Sequence, residues 1–381
     1  MSQPREVLHL ASWYPFPEEP RLGNFVARHV EVLSFQHRAW VLAARAGKQN
    51  ALVFSREGEA RVLRVYFRPY LPWLSLLWAL YRGYRFLKRK GMEEELIHLH
   101  VAYPAGILSL FLQCPLLISE HFSGYHPQRG HRWNPGSRWL ARRIFNRAEV
   151  ICPVSAALGQ TLRDFGVRAP LLPVGNAVNT AVFRYHDPVK KRGIRILHLS
   201  SLQDSTKNIT GMVKVMRTFL GQHPEVTWAV GGDGDPHWLA DQLAVLPAKQ
   251  VEQLPALSPE EVAEQMKQAD AFMLFSWIEN QPVVILEALC SGRPVIASRV
   301  GGIEELIGPA EGLLVERGNE EGLIQALEEL LQRLPWPEGE ALARKAAAEH
   351  GDAAIAAKFA QAYLSALRSS ASDHSSPGPD S

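Results

Sequence analysis

The sequence predicts an α/β protein made of two Rossmann-like halves that face each other across a cleft. Three observations carry this reading. Short, nearly continuous apolar runs alternate with helix-compatible stretches along almost all of the 381 residues, the pattern of parallel strands covered on both faces. The alternation stops at the polar segment RYHDPVKKRG, Arg184 to Gly193, which reads as a linker, and then restarts. The chain is 46% hydrophobic and 21% charged, ordinary for a globular protein and long enough to build two cores.

In the first half, VLHLASW (7–13), AWVLAA (39–44), LIHLHV (96–101), PLLISE (115–120) and EVICPVS (149–155) read as strands. GNFVARHVEVLS (23–34) and VSAALGQTLRDFG (154–166) read as helices. In the second half the strands are RILHLSS (195–201), VTWAVGG (226–232), QVEQLPA (250–256), AFMLFS (271–276), PVIASRV (294–300) and GLLVE (312–316). Residues 339–367 are alanine-rich and helical, and the Ser/Pro-rich tail 369–381 is expected to be disordered. The expected division is a first domain over 1–185, a second over 186–350, a helix 351–368 packing back on the first domain, and the tail.

Composition narrows the function. Cys114, Cys152 and Cys290 stand far apart with no CxxC pair, which argues for a reducing compartment. No charged segment leads into an apolar one at the N-terminus, and the longest apolar stretch, LPWLSLLWAL from Leu71, is about half a membrane span. A cytoplasmic protein is expected. Residues 1–190 hold 25 Lys+Arg against 13 Asp+Glu, a balance of +12; the remainder holds 16 against 26, a balance of −10. A basic half points to an anionic partner, yet no helix-turn-helix, zinc-finger or RNP-type pattern marks it as nucleic acid.

The chemistry concentrates in SWIENQPVVILEALCSGRPVIASRVGG, Ser276 to Gly302. AFMLFS should end at Ser276, so WIENQ lies at a strand's carboxyl end, where open parallel sheets bind ligands. Pro282 suits the first turn of the next helix, Asn280 its cap and Gly292 its exit. Free backbone N–H groups at this helix N-terminus, in the loop of Asn280 and Gln281 that leads into Pro282, would then meet phosphate. Glu279 precedes that helix and Glu287 interrupts its apolar run; a carboxylate there either accepts two hydroxyls of a sugar ring or pairs with an Arg.

This segment resembles the signature of glycosyltransferase family 4, retaining enzymes of the GT-B fold. Other stretches agree in order: Leu22–Gly23–Asn24–Phe25, His98–Leu99–His100 with Tyr103–Pro104–Ala105–Gly106, Ser119–Glu120–His121, Val154–Ser155, Pro173 to Asn179, Lys207–Asn208 and Gly232–Asp233–Gly234. The resemblance covers the chain from Val7 to about Leu367. It implies that Glu287 holds the ribose hydroxyls, that Glu279 faces the transferred sugar, and that Lys207 offsets the charge of the donor pyrophosphate. Gly23 matches a loop that lets backbone approach phosphate, and His121 a histidine near the donor sugar. Gly301 and Gly302 read as a second such loop or as a plain tight turn. Ser201 stands where the family commonly carries an Arg on the pyrophosphate, and a hydroxyl cannot supply that charge; Arg21 or another basic residue would have to compensate.

The resemblance therefore implies a retaining, metal-independent hexosyltransferase. It would take a sugar from a nucleotide-sugar donor to a glycan or lipid-linked acceptor by front-face attack, with the leaving phosphate assisting the acceptor's proton. No cofactor is expected. A catalytically silent sugar-nucleotide or glycan-binding relative is the alternative; a GT-B epimerase or phosphorylase has no motif in its favour. His98, His100, His121, His126 and His131 lie close in sequence, but their spacing is not that of a zinc site. Residues 61–91 mix Trp, Tyr and Leu with many Lys/Arg and no acid. Their reading is contact with an anionic membrane surface, against a strand plus core helix with a solvated basic face.

Overall fold

A computed structural model describes residues 4–126, 133–187 and 193–375. His131, the middle of the expected linker (188–192) and the end of the tail (376–381) lie outside the described residues. The chain forms two compact units, Met1–Ala177 with Ala353–Ser381, and Val178–Asp352.

The first unit runs β1 (Glu6–Ala11), α1 (Asn24–Leu33), β2 (Arg38–Ala46), β3 (Ala51–Glu57), β4 (Ala60–Phe67), α2 (Pro72–Arg89), β5 (Leu96–His100), β6 (Leu116–Glu120), α3 (Pro135–Phe145), β7 (Val150–Pro153) and α4 (Ala156–Phe165). Its seven-stranded sheet has the order β3-β4-β2-β1-β5-β6-β7. All pairs are parallel except β3–β4. The strands β1, β5, β6 and β7 are buried throughout, as covered parallel strands must be.

The second unit contains β8 (Ile194–Ser200), α5 (Asp204–Lys207), α6 (Ile209–Gln222), β9 (Val226–Gly232), α7 (Pro236–Leu243), β10 (Val251–Leu254), α8 (Pro259–Gln268), β11 (Ala271–Leu274), α9 (Val283–Cys290), β12 (Val295–Ser298), β13 (Gly312–Val315), α10 (Glu320–Arg333) and α11 (Gly339–His350). Its six strands follow the order β10-β9-β8-β11-β12-β13, all parallel. The chain then returns to the first unit through α12 (Asp352–Ser375). Ile355, Phe359, Ala362, Tyr363 and Ala366 recur at helical spacing and pack with Val7, Leu96, Leu117 and Val150. Each large apolar side chain so buried contributes roughly 1.5–3 kcal/mol.

Three expectations need adjustment. The units divide at Ala177/Val178, ahead of the expected 185/186, because Val178 and Phe183 join the second unit's core. The helix α12 continues to Ser375, so the stretch 369–375 is helical rather than disordered. Residues 61–91 are two elements. β4 lies inside the sheet, and α2 buries Leu76, Ala79, Leu80, Gly83 and Leu87. The outward line of α2 nonetheless keeps Leu74, Trp78 and Tyr81 exposed, with Trp78 at 53%.

Candidate active site

In the second unit, loops from the carboxyl ends of three neighbouring strands, β8, β11 and β12, meet. Trp277 N donates to Thr206 O at 2.8 Å, tying the β11 loop to α5. Gly302 N donates to Asn280 O at 2.8 Å, tying it to the β12 loop. Gly301 has φ +54, and a Cβ there would fall 1.9 Å from Glu279 O. The two glycines thus let one loop's backbone lie directly on another's.

Glu279 is buried. Its Oε1 accepts from Lys207 Nζ and from Ser276 Oγ at 2.8 Å. Lys207 ends α5, and Asn208, at φ 53, caps α6 by accepting from Gly211 N at 3.2 Å. Lys207 and Glu279, 72 residues apart, are therefore neighbours. Asn280 and Gln281 are buried in the same loop. The helix α9 begins at Val283 with Pro282 in the cap position and no side-chain cap. Asn280 thus does not cap it, because Pro282 carries the extended backbone of the cap itself. Gly292, at φ 73, forms the helix exit as expected.

Glu287 lies in the second turn of α9. Part of its surface reaches solvent, yet so much protein surrounds the carboxyl that burial alone pushes it up to about 7. Among the described residues no Arg, Lys or hydrogen-bond donor meets this carboxylate. The Arg-paired reading is therefore not what the fold builds.

Ser201 is half-buried beside a supporting network that the sequence did not reveal. His198 Nδ1 lies 2.9 Å from Met273 O, so this nitrogen donates. Nε2 then accepts from Ser200 Oγ at 2.9 Å, and that oxygen accepts from Leu202 N at 3.1 Å. Leu202 is held at φ 54, left-handed for a residue with a Cβ. Burial, followed by the charge of Lys207, pushes His198 down to about 4, keeping it neutral.

In the first unit Gly23 and His121 come together at the carboxyl edge of the sheet. Gly23 precedes α1 at φ 77, and a Cβ there would lie 2.6 Å from Trp13 C. Phe25 stacks 4.4 Å from the His121 ring. The residue that sets His121 in place is Glu120, which accepts from Ala102 N, His121 N and Phe122 N at 2.8–2.9 Å. Burial pushes its carboxyl up to about 7 against the pull of these donors.

His98 and His100 share a face, ring centroids 3.9 Å apart, but their company differs from that expected. His9 Nδ1 lies 3.0 Å from His100 Nε2, and His9 Nε2 lies 3.0 Å from His37 Nε2. His126 contacts Thr161 Oγ1 at 3.2 Å instead. Ligand atoms of His9, His98 and His100 fall within 4.8 Å of one another. Both nitrogens of His98, however, are engaged by Tyr363 Oη (2.9 Å) and Ser119 Oγ (2.7 Å). Hydrogen bonds to Tyr363 and Ser119 thus satisfy both nitrogens of the His98 ring in the buried cluster.

The model of the family Glycosyltransferase Family 4 matches residues 22–182, and that of Glycosyl transferases group 1 matches residues 193–333. Among known proteins, the chain is 25% identical over 254 residues to the putative teichuronic acid biosynthesis glycosyltransferase TuaC of Bacillus subtilis, covering 63% of this chain and 62% of that protein. It is 26% identical over 215 residues to a GDP-mannose-dependent monoacylated alpha-(1-6)-phosphatidylinositol monomannoside mannosyltransferase of Corynebacterium glutamicum, covering 52% and 56%. The matched stretch thus spans less than two thirds of either relative. In fold, it is similar to sucrose-phosphate synthase from Thermosynechococcus elongatus, with TM-score 0.76, 18% identity and coverage of 94% and 98%. It is likewise similar to Anabaena HepE in complex with UDP-glucose, with TM-score 0.73, 17% identity and coverage of 94% and 99%.

Proposed function

Because the chain belongs to the group 1 glycosyl transferases of glycosyltransferase family 4, of GT-B type, we propose that it transfers a hexose-type sugar from a nucleoside-diphosphate sugar to a hydroxyl of a glycan or lipid-linked acceptor. The observation that carries this is Glu287. A carboxylate with no partner among the described residues, raised to about 7 by burial and standing behind the N-terminus of α9, is suited to accept two ring hydroxyls. Lys207 stabilises the leaving pyrophosphate, Glu279 orients the sugar, and the backbone of Asn280, Gln281, Pro282, Gly301 and Gly302 shapes the donor pocket, with Ser201 beside it. The bond from the anomeric carbon to the phosphate oxygen breaks with its electron pair leaving on that oxygen. The acceptor oxygen bonds on the same face, and its proton passes to the leaving phosphate. No metal is assigned to this step. The similar Anabaena protein's complex with UDP-glucose supports a nucleotide-sugar donor, and the teichuronic acid and phosphatidylinositol mannoside relatives support a cell-surface polysaccharide or glycolipid product.

No helix among the described residues is long and apolar enough to cross a membrane. The exposed Leu74, Trp78 and Tyr81 of α2, followed by Arg82, Arg85 and Arg89, support peripheral contact with an anionic membrane from the cytoplasmic side.

A thermal-shift panel of UDP-, GDP- and ADP-sugars tests the donor reading, since a ligand that binds only the fold raises its melting temperature. One nucleotide class should stabilise the protein, and Glu287→Ala should weaken that donor by roughly 10²-fold. Equal donor affinity in wild type and Glu287→Ala overturns the assignment. Tight binding with no turnover on any acceptor instead identifies a silent relative.

A further inference from the structure

A pocket of about 450 Å³ opens on the first unit, lined by Leu110, Trp139, Arg142, Arg143, Asn146 and Arg147. Leu110 lies just ahead of β6, and Asn146 and Arg147 just ahead of β7. The pocket therefore sits at the edge of the sheet where these strands begin. Gly23 and His121 lie at the opposite edge, where β6 ends, so the pocket is separate from their site.

Two of its three guanidinium groups are built in rather than solvated. Arg142 Nε donates to Phe165 O at 2.6 Å, and the group lies 5.7 Å from the Phe165 ring. Arg147 Nη2 donates to the carbonyls of Leu112 and Cys114, at 2.7 Å each. Carbonyls orient these groups but neutralise no charge. Of the nearby acids, Glu149 acts on Arg147 through its charge; among the described residues no carboxylate forms an ion pair with Arg142 or Arg143, and residues 121–148 contain no acid at all. Arg147 Nη1 is buried with no hydrogen-bond partner among the described residues. At the rim, Trp139 is 62% exposed, and the Arg143 guanidinium lies 6.0 Å from its ring centroid.

Three like charges gathered around one cavity repel one another, and an anion relieves that repulsion. Planar guanidinium forks fit phosphate oxygens pairwise, where lysines would act as point charges. We propose that this pocket binds a phosphate group, with Trp139 lying against the apolar or sugar portion of the molecule that carries it. The group has two sources, a lipid headgroup at a membrane surface or a soluble phosphate. The face favours the headgroup: Phe111 is exposed nearby, and α2, packed on the same 3-10 turn (Ala105–Phe111) as α3, presents Arg82, Arg85 and Arg89.

The test uses full-length protein, phosphatidylglycerol–phosphatidylcholine vesicles in co-sedimentation, and calorimetric titration with inorganic phosphate. One variant is Arg142→Gln/Arg143→Gln. A second, Trp139→Ala/Arg143→Gln, removes only exposed side chains and leaves the backbone anchors intact; unchanged melting temperature verifies its fold. Arg5→Gln/Arg56→Gln removes two exposed charges elsewhere on the unit as a control. Both pocket variants should bind roughly tenfold or more weakly, and the control within about threefold of wild type. Loss on vesicles identifies the headgroup as the source, and loss on phosphate alone a soluble ligand. Wild type that binds neither, or an equal loss in pocket and control variants, overturns the proposal.

Discussion

Lys207 and Ser276 donate to the same oxygen, Oε1 of Glu279, within the second unit. The two charged side chains are largely sheltered, at 18% and 10% exposure. The lysine's charge is thus directed at Glu279, while Ser201, just after β8, is a hydroxyl and adds none. A donor pyrophosphate offers Lys207 a second anion, so one cation is asked to serve both the sugar-facing acid and the leaving group.

This shared cation predicts a separation of stability from turnover. Lys207→Met leaves a sheltered carboxylate unpaired and should cost about 1–3 kcal/mol of stability. Turnover should fall by about 10²–10³-fold. Lys207→Met/Glu279→Gln should regain most of the stability in denaturant unfolding and none of the turnover in a donor-hydrolysis assay. Full activity in Lys207→Met would remove the lysine from the reaction.

Gly301 gives a second prediction from its contact with Glu279. A methyl group 1.9 Å from a carbonyl oxygen cannot be tolerated, and φ +54 adds a left-handed penalty. Gly301→Ala should therefore lower stability by at least about 2 kcal/mol and weaken donor binding, because the loop that carries Glu279 must shift. Gly58 is the matched control: its φ is +57, but nothing lies within 4 Å of a Cβ there. Gly58→Ala should lose only about 1 kcal/mol and leave donor affinity unchanged. Similar losses in both variants would locate the effect in φ rather than in the contact.

The contrast between these residues shows which parts of the protein could be read without coordinates. Strand and helix alternation is periodic, so the two parallel sheets and most of their strands were legible, and Gly292 was recognisable as a helix exit. The edge strand β3 was not, since it pairs on one side only and carries no continuous apolar run. The segment 276–302 carried most of the candidate site because it is contiguous. Partners distant in sequence were hidden. Nothing local in STKN points to Glu279, nothing in VLHLA joins His9 to His37 and His100, and the support of Leu202 by His198 depends on a neighbouring strand. For Glu287 the sequence left two readings open, and only the surroundings of the carboxyl separate them.

That carboxyl predicts a conflict between binding and stability. In the fold it titrates at about 7, against an ordinary value of 4.5. A raised carboxyl favours the folded state below its unfolded pKa, and that contribution is lost as pH rises through the folded one. At pH 8 the ionised group should therefore destabilise the unliganded protein, by about 1–3 kcal/mol after allowing for its partial exposure. Glu287→Gln should be more stable than wild type at pH 8 and equal to it near pH 4, while binding donor roughly 10²-fold more weakly. Wild-type donor affinity should also fall as pH drops below about 7, because the protonated acid accepts fewer hydroxyls. Urea unfolding and donor titration at both ends of this range check each half; a variant no more stable at pH 8 would show that a partner compensates the charge.

The buried histidines of the first unit predict the opposite slope. His9, His29, His37, His98 and His100 are all held below the usual 6.5 first by burial, His29 and His37 down to about 4. In the unfolded chain each takes a proton near 6.5 that the fold refuses, so their contribution is complete above that pH and lost as pH falls toward the folded values. Each removes roughly 1.4 kcal/mol per pH unit over that window. Glu120 and Glu287, both raised to about 7, work in the other direction, but two carboxyls do not balance five imidazoles. Net stability should thus drop by several kcal/mol between pH 6.5 and 5, comparable to the whole stability of many domains. Because Tyr363 of α12 contacts His98, the C-terminal helix should loosen with the cluster. Denaturant unfolding followed from pH 7.5 to 5.5, with amide exchange along α12, measures both; stability that stays level or rises with acid would mean that the fold itself accommodates protons at these histidines.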